Sequence, residues 1–133
     1  MLTICDTNIL LFWADDPSRL SAKASAALDL GLESANLACS DISLWEIAML
    51  YARGRVNNRA GVTSSAYIQD ILIGMSMTVL PITAEIAEIS QSASFTHGDP
   101  ADRLIAATAL AHRIPLITAN GKLRAMPGLR CIW

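Results

Sequence analysis

Three acids stand where apolar runs meet polar residues: Asp6, Glu46 and Asp102. Carboxylates gathered at one place repel one another and need a counterion to be tolerated. Donor sets made only of oxygen favour Mg²⁺ or Mn²⁺ over zinc. An ion held this way lowers the pKa of a bound water and makes a nucleophile near neutral pH. A second ion, where present, stabilises the leaving oxygen, and a carboxylate accepts the water's proton. The chemistry such a site suits is phosphodiester hydrolysis.

Each acid also has an ordinary structural explanation. Asp6 ends the apolar run 2–5, and Asp6-Thr7-Asn8 is a turn former whose side chains bond nearby backbone N–H groups. Ser43-Leu44-Trp45-Glu46 has the spacing of a capping box, in which the serine starts a helix and the glutamate bonds back to it. In Asp99-Pro100-Ala101-Asp102, Asp99 suits an N-cap, Pro100 a first helical residue, and Asp102 the positive end of the helix dipole. None of these explains why acids should gather at three separate entrances on one edge of the fold.

That gathering depends on the elements that carry the acids. Residues 2–5, 36–40, 77–80 and 115–118 are short, apolar and bounded by turn formers, so they read as buried strands, with 130–133 as a fifth. Between them the pattern predicts helices over 8–14, 21–30 with Gly31 as the stop, 43–53, 64–75, 83–94 and 100–113, with a loop over 55–63. Leu44, Ile47, Ala48 and Tyr51 share one stripe, and Leu104, Ile105, Thr108 and Ala111 another. Strands alternating with helices imply right-handed crossovers and a parallel sheet covered on both faces. Ligands bind such sheets outside the carboxyl ends of the strands. Asp6, Asp41 and Asn120 follow strands, and Glu46 and Asp102 fall in the first turns of the next helices.

The chain has 133 residues, 53% hydrophobic and 17% charged, which fits one folded domain over 1–133. A net charge of −2 argues against a basic surface that coats nucleic acid, although bound cations can invert the sign of an acidic site. Cys5, Cys39 and Cys131 are odd in number and far apart, so they read as small apolar residues of a cytoplasmic protein. No run reaches the roughly 18 apolar residues of a membrane span. His97 and His112 lack metal spacing, and Trp13, Trp45 and Trp133 read as packing residues. Arg103 and Lys122 flank the acids, within reach of a phosphate or merely solvated.

Four segments carry a resemblance to a known family. They are Ile4-Cys5-Asp6-Thr7-Asn8-Ile9-Leu10, Ser43-Leu44-Trp45-Glu46-Ile47-Ala48, the run from Asp99 to Ala109, and Leu116-Ile117-Thr118-Ala119-Asn120. Together and in this order they resemble the PIN-domain family, and within it the VapC-type toxins of toxin–antitoxin pairs. The resemblance implies a three-layer α/β/α fold with a central parallel sheet of about five strands. It implies Mg²⁺- or Mn²⁺-dependent cleavage of RNA, of the tRNA or rRNA class. Asp6, Glu46 and Asp102 match the family's acids and would hold the metal, with Asp99 an additional catalytic acid. Thr7, Asn8, Ser43 and Thr118 match supporting polar positions on the substrate side, where Arg103 and Asn120 also fall. The family commonly has an Asp where this chain has the neutral Asn120, which implies one bound ion rather than two. A cognate antitoxin and a homodimer are implied partners, with exposed apolar residues at 28–32 or 67–77 as the dimer surface.

Two other classes compete. One is a PIN-like interaction module that binds a partner or RNA without cutting, which Asn120 favours. The other is a phosphoacceptor domain, which would want an acid at position 8 or beside Asp6, where the chain has Asn8, Cys5 and Thr7. The glycine patterns of nucleotide-binding loops are absent from the sequence.

Overall fold

Residues 3–5 are fully apolar after Thr3 and pair on both sides, which places the first strand at the centre of the sheet. The computed structural model describes residues 1–95 and 98–133. Strands β1 (Thr3–Cys5), β2 (Leu37–Ser40), β3 (Thr78–Leu80), β4 (Leu116–Ile117) and β5 (Cys131–Ile132) form one sheet in the order β3-β2-β1-β4-β5. All pairings are parallel; Ile4 sits beside Ala38 on one side and Leu116 on the other. The described residues also form helices α1 (Thr7–Asp15), α2 (Ala22–Ser34), α3 (Ile42–Ala52), α4 (Ser64–Gly74), α5 (Ala84–Ser90), α6 (Pro100–His112) and α7 (Gly121–Arg124), with a short 3-10 turn at Pro17–Arg19.

Strand alternation divides the interior into two cores. Ile4, Ala38 and Leu116 face one side, against Ile86, Ile105 and Ala109 of α5 and α6. Cys5, Leu37, Cys39 and Ile117 face the other, against Ile9, Leu28, Ile47 and Ile71 of α1 to α4. Neighbouring strand residues point to opposite faces, so both faces of a parallel sheet are covered. This is the three-layer α/β/α arrangement with five strands that the sequence implies. Cys5 and Cys39 are buried free thiols, as expected of small apolar residues. No helix among the described residues is long and apolar enough to cross a membrane.

Element boundaries depart from the sequence pattern in two informative places. Gly31 does not end α2; the helix runs to Ser34 and stops at Ala35 in the left-handed conformation (φ 52°). Gly31 is needed for contact instead, because a Cβ there would lie 2.2 Å from the Leu37 side chain. The helix expected over 83–94 is shorter, with Gln91 as its C-cap. In the expected dimer segments, Leu30 and Ile73 are the large exposed apolar side chains.

Candidate active site

The carboxyl edge of β1 is where the site begins. Asp6 caps α1: its Oδ1 accepts from the Thr7 backbone N–H at 2.8 Å, so a turn-former role and a site role coincide in one side chain. It is only 4% exposed. Its Oδ2 accepts from the Thr118 hydroxyl at 2.7 Å, across from β4. Both oxygens are thus held in fixed directions.

Glu46 enters from α3, and here the capping box is not what forms. The N-cap position is Asp41, and Ser43 lies inside the helix. Ser43 Oγ is 2.8 Å from Thr7 Oγ1, and Thr7 Oγ1 donates to Glu46 Oε1. With the Thr7 proton committed to Glu46, Ser43 is the donor of the remaining bond. Both polar residues of the apparent box therefore reach across to α1 rather than back to their own backbone.

Asp102 stands in the first turn of α6. Asp99 caps that helix, accepting from Ala101 N–H at 3.0 Å and Asp102 N–H at 3.5 Å, and Pro100 begins it, as expected. Asn120 Nδ2 donates to Asp102 Oδ2 at 3.0 Å, while Asn120 Oδ1 caps α7 through Lys122 N–H. The Asn120 backbone N–H donates to Thr118 Oγ1 at 3.0 Å. A continuous hydrogen-bonded path thus runs from Glu46 through Thr7, Asp6, Thr118 and Asn120 to Asp102. It joins four elements at one sheet edge.

The acids are electrostatically coupled. Burial first, and then the charges of Asp6, Asp99 and Glu46, push the Asp102 carboxyl up to about 7, with the Asn120 bond working against them. Glu46 is raised by burial and by Asp6 and Asp99, and lowered by its bond from Thr7. Glu46 and Asp102 are therefore costly to ionise beside the other acids. Among the described residues no three His, Cys, Asp or Glu side chains stand close enough to cage a metal ion. The donor set still fits a hard divalent cation in kind. It is made of oxygen, its charge is mutually unfavourable, and Mg²⁺ keeps several waters and takes only one or two carboxylates.

Not every residue expected at the site joins it. Asn8 is exposed and lines a groove beside α1 with Leu11, Phe12 and Asn57. Arg103 is turned to α5, where Nε donates to Ser90 O at 2.9 Å and a terminal nitrogen to Gln91 at 3.4 Å. It ties two helices together, in place of the phosphate contact expected of it. Asp41 accepts from Ile82 N–H, away from the other acids. His112 is exposed at the end of α6, and His97 lies outside the described residues. Trp13 and Trp133 do pack against the core, but Trp45 does not: it is 58% exposed. The signal for Trp45 was present in the sequence, since it shares the stripe of Ile42, Glu46 and Met49 rather than the buried stripe of Ile47 and Tyr51.

Comparison with known proteins agrees with this geometry. The PIN domain family model matches residues 3–129. Ribonuclease VapC22 of Mycobacterium tuberculosis is 32% identical over 122 residues, covering 92% of this chain and 89% of that protein. Among solved structures, VapBC2 of Rickettsia felis bound to a promoter DNA fragment superposes with a TM-score of 0.73 at 19% identity, covering 98% of this chain and 97% of that one. DNA-bound VapBC of Salmonella typhimurium superposes with a TM-score of 0.72, also at 19% identity and with the same coverage. A toxin–antitoxin complex from Klebsiella pneumoniae gives 0.64 at 24% identity, covering 96% and 94%. The matched model spans all six residues of the path from Glu46 to Asp102, and the chain belongs to the PIN-domain family, on its VapC-like side.

Proposed function

We propose that this chain is a Mg²⁺- or Mn²⁺-dependent endoribonuclease that cleaves phosphodiester bonds in RNA of the tRNA or rRNA class, and that a cognate antitoxin protein neutralises it. The observation that carries the proposal is the path of hydrogen bonds that brings Glu46, Asp6 and Asp102 from three separate elements to one edge. Membership of the PIN family and the likeness to a protein named as a ribonuclease support the substrate class. The antitoxin rests on the neighbours, several of which were solved as toxin–antitoxin complexes.

Asp6, Asp102 and Glu46 would hold the cation, one or two of them directly and the rest through its waters. When bound, it supplies a water acidified to near neutral pH and a positive charge on the phosphate. The protein's own groups do the positioning. Thr7 N–H and the Thr118 hydroxyl fix Asp6, the Thr7 hydroxyl fixes Glu46, and the Asn120 amide fixes Asp102. Glu46, whose pKa burial raises, would be the group to accept a proton from the attacking water. The test is cleavage of total tRNA and rRNA by wild type and Asp6→Ala, each with Mg²⁺ or Mn²⁺ and with chelator. Cutting is expected only from wild type with metal. Equal cutting by Asp6→Ala, or no cutting by wild type on either RNA class, would overturn the proposal.

A further inference from the structure

We infer that Trp45 forms a nucleobase subsite beside the acids, on which one unstacked base of a single-stranded RNA rests during cleavage. The inference rests on the ribonuclease proposal and names how that site holds its substrate.

Trp45 is one of the large apolar side chains that the fold leaves exposed. It sits in the first turn of α3, 58% exposed, while α3 buries Ile47 and Tyr51 on another stripe. Isolated exposed apolar residues are common and mean little. Trp45 is not isolated: it lines a groove of about 390 Å³ between α3 and the start of α6, with Ile42, Met49 and Pro100. The same groove is lined by Glu46 and Asp99, so its apolar floor continues into the acidic cluster. Glu46 in turn accepts from Thr7, the residue after Asp6.

Charge and shape select the occupant. Among the described residues no Lys or Arg lines the groove, and its charged side chains are the carboxylates of Glu46 and Asp99, so the groove offers an RNA phosphate no cationic side chain. A base is neutral, flat and apolar on its faces, and every base has a face to stack on an indole. A strand whose scissile phosphate lies over Asp6 and Asp102 therefore brings a neighbouring base, rather than its backbone, to Trp45. Single-stranded targets suit this because their bases are free to splay out and stack on aromatic side chains.

The experiment titrates wild type, Trp45→Ala and Trp45→Phe with two probes in Ca²⁺. The probes are single-stranded oligoadenylate and an abasic ribose-phosphate strand of equal length. Loss of one base–aromatic stack corresponds to about 5- to 100-fold in affinity. Oligoadenylate is expected to quench wild-type tryptophan fluorescence. Trp45→Ala should bind it about tenfold more weakly, and Trp45→Phe should keep most of the affinity but lose the quench. The abasic strand should bind all three proteins alike. The inference is overturned if Trp45→Ala binds oligoadenylate as wild type does, or if it weakens both strands equally. Failure of wild type to bind either strand would instead remove the ribonuclease proposal, and this subsite with it.

Discussion

Replacing Asp102 by Asn should stabilise the metal-free protein while removing its activity. The Asp102 carboxyl ordinarily titrates near 3.8 and is pushed up to about 7 here, by burial first and then by Asp6, Asp99 and Glu46. Between those pH values the unfolded chain has released this proton and the folded chain retains it. Folded protein therefore binds more protons, and stability falls as pH rises through the window. The contribution is fully present below about pH 4 and fully lost above about pH 7. An interval of about 3 pH units at about 1.4 kcal/mol each gives an upper bound of about 4 kcal/mol. Asp102 is only half-buried, and solvent screening reduces this to about 1–2 kcal/mol. Asparagine is neutral at every pH and keeps an oxygen for the Asn120 amide. In EDTA at pH 8, Asp102→Asn should melt higher than wild type by about 3–8 °C for a domain of this size. At pH 4 the two should converge. Added Mg²⁺ should raise the melting temperature of wild type more than that of the variant, by mass action on the folded state. Thermal unfolding followed by circular dichroism reads all of this. Equal melting temperatures at pH 8, or parallel pH profiles for the two proteins, would refute the view that the acids destabilise one another.

Two further substitutions test the path between the acids. Asn120→Asp replaces the donor to Asp102 with a second carboxylate, so Mn²⁺ affinity measured by calorimetry should rise, and metal-free stability at pH 8 should fall by about 1 kcal/mol. Thr118→Val keeps the shape but deprives Asp6 of a donor and Asn120 N–H of an acceptor. Activity should drop about 10- to 100-fold, as for other residues that orient ligands. Stability by urea denaturation should fall by about 1–3 kcal/mol for the two broken bonds.

The sheet, its order of elements and the edge on which the acids meet were legible because buried strands announce themselves. Ile4-Cys5, Leu37 to Cys39 and Leu116-Ile117 are apolar on both faces, and polar residues follow each at once. What was hidden depended on partners far away in sequence. Ser43 and Glu46 match a capping box by spacing alone; only the approach of Thr7 from α1 diverts both side chains. Gly31 looks like a helix stop because nothing nearby in sequence reveals that Leu37 will lie against it. Arg103 reads as a phosphate contact until α5 offers the Ser90 carbonyl. Trp45 read as core because tryptophan is usually buried, whereas its stripe faces the groove at α6. Asn120 caps α7, but its second bond, to Asp102, could not be seen from the turn it makes.

The position of β1 has a consequence for when the site can exist. The strand that leads into Asp6 lies far in sequence from β4, one of its two neighbours, and the Thr118–Asp6 bond spans 112 residues. Such distant pairings close late in folding. A nascent chain that has emerged only as far as α6 already holds Asp6, Glu46 and Asp102, but Asp6 Oδ2 still awaits Thr118 and Asp102 awaits Asn120. Competence therefore waits on the segment that carries Thr118 and Asn120, and a chain halted before it holds all three acids without the bonds that fix two of them.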